Sequence, residues 1–375
     1  MDFSYTQEQR DLRDTAARML TQRFSDEFRK SFNRGGEPFD APLWSAFSSA
    51  GLLGAAIGTG YGGSALGLTE LCLMLEEQGR TLAVMPLLET LVLGAMPLER
   101  FGRTHHRELL RQVADGTLIL SAALEEPGST DLQSLQTRAE PAGAGFRLSG
   151  VKTCVPYAQQ AGYLLVAARA HGQPRVFVVP RGAAGVDIQA QRGTSSTPQG
   201  QLTLSEVQVS AADALGIDGD VDVLGWMLER GRIGVCALQL GVAQESLRRG
   251  VAYTSERRQF GRPLGSFQAV QHRLADCYID VEALRSAYLR AVWALDAQVP
   301  AAAEVLAAKW WASQCGHRVT HAVQHVHGGL GADIEYPVHA FFLRAKELEL
   351  SLGGAQLSLA AIGRELRAGA VPPFT

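Results

Sequence analysis

Residues 146–182, FRLSGVKTCVPYAQQAGYLLVAARAHGQPRVFVVPRG, decide the fold. The runs FRLSGVKTCV, AGYLLVAARA and PRVFVVPRG are short, and turn residues separate them. That is how strands of a compact sheet read. VDIQAQRG and GQLTLSEVQVS carry the pattern on to about residue 215. Several short strands at close spacing predict a small antiparallel barrel or sandwich.

Both flanks change period. Upstream, TQEQRDLRDTAARMLTQRF has helical spacing after Thr6, a candidate N-cap. LTELCLMLEEQGR reads as a further helix closed by Gly79, and GLLGAAIGTGYGGSALG between them reads as a glycine-rich loop. Downstream, helical patterns over 222–258, 267–297, 300–326 and 338–367 are long and closely connected, as in a bundle. The expected architecture is α+β and multidomain. It has an N-terminal helical domain (1–118), a middle antiparallel β-barrel or sandwich domain (119–215) and a C-terminal four-helix bundle (216–375). No internal repeat or low-complexity tract interrupts it.

The totals narrow the function. A chain of 375 residues is long enough for two or three domains. A formal net charge of −3 gives no electrostatic reason to expect nucleic acid or an anionic membrane surface. The five cysteines, Cys72, Cys154, Cys236, Cys277 and Cys315, form no C-x-x-C pair, which fits a reduced, cytoplasmic protein. MDFSYTQEQRDLRD is polar and acidic, so no signal peptide is expected. The most apolar window, 82–98, carries Glu89 and two prolines and is too short to span a bilayer.

Four stretches carry candidate chemistry. EEPGSTD (125–131) is a turn whose amides and hydroxyls can meet a phosphate or a flavin edge, or is an ordinary β-turn. SERRQFGRPLGSFQAVQHRLAD (255–276) offers Arg257, Arg258 and Arg262, then Phe260 and Gln268. A planar guanidinium suits a pyrophosphate and an aromatic ring suits an adenine, although a basic turn between helices reads the same way. HRVTHAVQHVHGGLGADIEYP (317–337) spaces His317, His321 and His325 by four. No carboxylate or thiol joins them at ligand spacing, so no metal is expected. WMLERGRIGVCA (226–237) places Glu229 and Arg230 in a helix otherwise suited to close packing. Glu229 is either a solvated first-turn acid or a base.

Together these pieces resemble the acyl-CoA dehydrogenase family over nearly the whole chain. The carriers, in the family's order, are GLLGAAIGTGYGGSALGLTELCLMLEEQGR, EEPGSTD, SGVK, ERRQFGRPLGSFQAVQHRLAD, HVHGGLGADIEYPV and LRAKELELSLGGAQ. The resemblance implies an FAD flavoprotein acting on an acyl-CoA substrate. It also implies an electron-transfer flavoprotein or similar acceptor, and assembly as a homotetramer or an α2β2 heterotetramer. By position, Arg257, Phe260 and Gln268 look like contacts to the ADP half of FAD. Gln324, Gly328, Gly329 and Gly331 look like the second FAD-contacting stretch, where glycine lets backbone approach the cofactor. Leu124, Ser129 and Thr130 match positions lining the flavin and the thioester, and Cys154 falls beside the flavin ring.

The resemblance also locates the base. These enzymes form a 2,3-enoyl-CoA by removing an α-proton while a β-hydrogen leaves as hydride. That requires donors aimed at the thioester oxygen and a carboxylate within proton-transfer reach. Most of the family places a Glu in the loop after R-D-A-K. Here that position falls at Gly353, whose backbone N–H is still able to donate to the thioester oxygen. A minority, the isovaleryl type among them, places the Glu on the preceding helix, and Glu229 matches it, with Arg230 as support. Glu349 is the fallback.

Two departures stand out. Glu125-Glu126-Pro127 replaces the usual Thr-Glu-Pro. Cys154, Val155 and Pro156 replace a Trp-x-Thr, and proline lacks an N–H. The combination is similar to bacterial members acting on steroid side chains or other bulky acyl-CoAs, some of them α2β2. Two functions follow. One is a competent dehydrogenase using Glu229. The other is a non-catalytic or half-site subunit that supports FAD in a paralogous chain. Oxygen chemistry on the same fold is a third possibility that no residue requires.

Overall fold

The computed structural model describes residues 3–128, 131, 134–216, 221–367 and 369. Compactness divides the chain into two units, each assembled from separated stretches. A helical unit takes residues 1–36, 72–83 and 232–375, and a sheet unit takes 37–71 and 84–231.

The helices are α1 (Gln7–Arg23), α2 (Asp26–Gly35), α3 (Ala41–Ser49), α4 (Leu68–Thr81), α5 (Met96–Phe101), α6 (Thr104–Ala114) and α7 (Val223–Glu256). They continue with α8 (Gln268–Asp296), α9 (Ala302–Val326), α10 (Gly329–Ala332), α11 (Pro337–Leu350) and α12 (Ala355–Arg367). Thr6 caps α1 as expected. Its hydroxyl accepts from Gln9 N–H, and the Gln9 side chain accepts from Thr6 N–H, a reciprocal capping box. No helix is long and apolar enough to cross a membrane among the described residues.

Two helix readings are corrected in the helical unit. Gly79 does not close α4, which runs on to Thr81. A Cβ at Gly79 would lie 2.1 Å from Leu238 O, and one at Gly241 would lie 1.9 Å from Glu76 O. The two glycines therefore let α4 and α7 touch backbone to backbone. The pattern over 338–367 is two helices, α11 and α12, broken at Ser351–Gly354. Leu352 and Gly353 both take positive φ there, +54° and +100°, a conformation that ends a helix.

In the sheet unit seven strands form one sheet: β1 (Leu120–Ala123), β2 (Arg138–Ala142), β3 (Gly145–Pro156), β4 (Tyr163–Ala170), β5 (Gln173–Pro180), β6 (Val186–Arg192) and β7 (Pro198–Ser210). The order is β1-β4-β2-β3-β7-β6, with β5 also on β4. Pairing is mostly antiparallel, but β1 and β2 both lie parallel to β4. Leu164 to Ala168 of β4 are wholly buried, which explains their continuous apolar run. The β3–β7 register slips twice, between Leu148 and Gly150 and between Lys152 and Val155. At the first slip Gly150 has φ +154°, and a Cβ would sit 2.7 Å from Thr137 Cα. The second re-aims Cys154, as bulges do.

Candidate active site

In the sheet unit, Glu229 is partly buried in the second turn of α7. Its Oε2 lies 3.4 Å from Arg230 Nη1. Arg230 is held in turn. Its guanidinium lies 3.9 Å from the Trp226 ring centre and donates to Trp226 O at 3.2 Å, and Trp226 meets Phe101 edge-on. A cation stacked on an indole is well ordered, so the carboxylate has a fixed positive neighbour.

In the helical unit, the 351–354 turn carries no carboxylate. Gly353 N–H donates to Leu350 O at 3.2 Å within the turn. Arg232 Nε donates to Leu352 O at 3.1 Å. Glu349, the fallback base, pairs with Lys346 and lies 3.3 Å from His317 Nδ1, so it belongs to a surface ion cluster.

The Arg257–Gln268 stretch is a hairpin of β8 (Arg258–Gln259) and β9 (Arg262–Pro263). Arg257, Arg258, Arg262 and Gln268 are exposed. Phe260 is 91% exposed at the hairpin tip. Arg262 stacks on Phe267 at 4.0 Å. Exposed planar cations and a bare aromatic ring in one stretch are the groups that suit a diphosphate joined to a purine, as in the ADP half of FAD. Gln324 has an intramolecular partner. Its Nε2 donates to Gly331 O at 2.9 Å, so it shapes the glycine turn. Gly328 in that turn takes φ +61°. His327, just beyond the spaced histidines, is buried between Tyr253 and Tyr336. Its Nδ1 donates to Val323 O, and its buried Nε2 has no hydrogen-bond partner among the described residues.

The remaining predicted flavin positions are in the sheet unit's part of the chain. Leu124 is buried, and Ser129 and Thr130 lie outside the described residues. Cys154 is exposed with φ +52°. Its N–H already donates to Gln191 Oε1 at 2.9 Å, and Thr153 Oγ1 holds Gln191 Nε2 at 3.1 Å.

Glu126 and Lys152 form a buried pair that the sequence reading missed. Nζ meets Oε1 at 2.8 Å, with side-chain exposures of 0% and 5%. Glu126 also accepts from Gln136 N–H and Thr137 N–H. Burial alone would raise its pKa, but the bonds from Lys152, Thr137 and Gln136 prevail and the carboxyl sits below its ordinary range. Burial draws the Lys152 ammonium below the usual lysine range despite Glu126. The available signal was a lone charge in the strand stretch SGVKTCV.

Residues 6–117, 121–207 and 221–367 match, in turn, the N-terminal, middle and C-terminal domains of acyl-CoA dehydrogenase. The chain belongs to the acyl-CoA dehydrogenase family. It is thus an oxidoreductase acting on CH–CH donors, in a family whose cofactor is FAD. It is 37% identical to acyl-CoA dehydrogenase FadE27 of Mycobacterium tuberculosis, over 98% of this chain and 99% of that one. Among solved structures it is similar to the ChsE4–ChsE5 complex from Mycobacterium tuberculosis, with TM-score 0.93, 37% identity and full coverage of both chains. It is also similar to a Tcur3481–Tcur3483 steroid ACAD variant, with TM-score 0.92, 40% identity, and 97% and 98% coverage.

Among the described residues, one cluster has ligand spacing: His105, His106 and Asp213. Both histidine Nε2 atoms reach Asp213 Oδ1, at 3.1 and 3.2 Å. His106 Nδ1 accepts from Arg103 N–H. The neutral His106 ring therefore carries its proton on Nε2 and offers no lone pair there to a cation. Burial, then the neighbouring His105, holds His106 below the ordinary histidine range, with Asp213 pulling the other way. Burial lowers His327 as well. The unfolded chain therefore takes up protons first as pH falls below about 6.5. Stability from both groups is present above that pH and is lost as pH falls toward the depressed folded values. Thermal melts are expected to show a falling Tm from pH 7 to about 5.5, with a shallower fall in His106→Gln.

Proposed function

We propose that this chain catalyses FAD-dependent α,β-dehydrogenation of a bulky acyl-CoA thioester to the 2,3-enoyl-CoA, with Glu229 as the base. The supporting observation is a carboxylate missing from one place and present at another. The turn at Ser351–Gly354, where the family's loop glutamate is replaced, carries no carboxylate. Glu229, on α7 beside Arg230, supplies one at the position used by the family's minority.

Glu229 takes the α-proton at a carboxylate oxygen, and Arg230 orders that carboxylate. Gly353 N–H, now on Leu350 O, is the donor for the thioester oxygen as charge develops there. Arg257, Phe260 and Gln268 hold the ADP half of FAD, and the Gly328–Gly331 turn gives its backbone room. When bound, the cofactor supplies the two-electron acceptor for the β-hydrogen. An electron-transfer flavoprotein or similar carrier is the onward acceptor. The steroid named for the Tcur3481–Tcur3483 relative supports a bulky acyl group.

Arg257→Ala removes a charge-assisted contact of about 1.5–3 kcal/mol, so FAD is expected to bind roughly 10–100-fold more weakly. Fluorescence titration of the apoprotein with FAD reads this directly, and unchanged affinity removes Arg257 from the site.

A specific observation favours a second reading. The Cys154 N–H, beside the expected flavin ring, is engaged by Gln191. In that reading the chain is one component of an α2β2 enzyme, supporting FAD together with a paralogous chain. The two-component names of both similar structures agree with it. Purifying the chain alone and co-expressed with a paralogue, and reading flavin absorbance per chain, separates the two readings.

A further inference from the structure

We propose that Lys309 is a positioning residue: it holds the shape of the 348–354 turn, in which Gly353 N–H rests on Leu350 O until a thioester oxygen takes it. The proposal rests on the reading of Gly353 given above.

Lys309 lies midway along α9 and is wholly buried. An ammonium in that place is costly unless each donor is matched. Its Nζ donates to Ser313 Oγ at 3.0 Å, Leu348 O at 3.3 Å and Glu349 O at 3.0 Å. Ser313 Oγ adds a second bond to Glu349 O at 3.0 Å. Lysine's three N–H donors thus meet three oxygens, which a planar guanidinium would not reproduce.

The acceptors explain the task. A helix leaves its last four carbonyls without intrahelical partners. In α11 these are Glu347, Leu348, Glu349 and Leu350. Glu347 O takes Ser351 N–H, and Leu350 O takes Gly353 N–H. The middle two fall to Lys309. Its charge also opposes the negative end of the helix dipole. Just beyond, Leu352 and Gly353 hold consecutive positive φ, and Arg232 fixes Leu352 O. Lys309 on one side and Arg232 on the other clamp a turn of backbone that lacks a catalytic side chain. Where the reacting group is an N–H, its direction depends wholly on the carbonyls around it.

The test is Lys309→Met, which keeps chain length and removes all three donors. Hydrogen exchange of the intact protein is expected to quicken about tenfold or more in peptides covering 347–356, with α9 itself unchanged. With cyclohexanecarbonyl-CoA as the probe thioester, kcat should fall about tenfold while KM stays within about twofold. Unchanged exchange at 347–356 in a folded variant overturns the proposal. Faster exchange with unchanged kcat shows that the lysine sets the turn and overturns the role of Gly353 instead. If Lys309→Met does not fold, Ser313→Ala removes only the relay hydroxyl and should loosen the same peptides; protection equal to wild type there overturns the proposal.

Discussion

Replacing Glu229 by Gln is expected to slow turnover about 10²–10⁴-fold, the usual contribution of a general base, with flavin per chain unchanged. The amide keeps the size of the side chain and its place beside Arg230, but it has no basic oxygen to receive the α-proton. Arg230 stays on Trp226 whether or not residue 229 is charged, so the helix start is expected to stay folded. Glu349→Gln is the matched control. Glu349 is tied to Lys346 and His317, and its loss should leave the rate within about twofold. Retained turnover in Glu229→Gln would sink the assignment of the base. A large loss in Glu349→Gln would move the assignment to that residue.

The second large effect is on stability. Lys152→Met leaves the Glu126 carboxylate buried without its cation, and breaking a buried pair from one side costs about 3–5 kcal/mol. Glu126→Gln should cost a similar amount, because it strands Lys152 and weakens the bonds to Gln136 N–H and Thr137 N–H. The double variant Glu126→Leu with Lys152→Met should recover much of the loss, since a matched apolar pair needs no desolvation of charge. Denaturant midpoints of the three variants measure this. A loss under about 1 kcal/mol in both single variants would show that the pair behaves like a surface one, contrary to its burial.

Much of the architecture was legible because it rests on periodicity. The alternation from FRLSGVKTCV to GQLTLSEVQVS differs from the helical spacing on both flanks, and the helix–sheet–helix order follows. The stretch 255–268 read as a basic turn between helices, and the family resemblance singled out Arg257, Phe260 and Gln268 in it. What stayed hidden depends on partners distant in sequence. Gly79 reads as a helix stop until Leu238 O is seen against it. Lys152 reads as one charge in a strand until Glu126, on another segment, closes on it. The break at Ser351–Gly354 is unexpected in a helical pattern until Lys309 and Arg232 account for its carbonyls. Cys154 looked like a simple replacement, whereas a register slip in β3 turns it outward and gives its N–H to Gln191. Within the candidate site, residue types were readable and hydrogen-bond engagement was not. Gly353 N–H and Gln324 Nε2 both have intramolecular partners that only the folded chain reveals.

The visible absorbance spectrum of the chain purified alone, before and after addition of an acyl-CoA, tests the central claim most directly. A self-sufficient FAD-dependent acyl-CoA dehydrogenase should be yellow, and its flavin band should bleach when the thioester is oxidised. A colourless chain that turns yellow only with a paralogous partner would contradict that account and establish the two-component reading in its place.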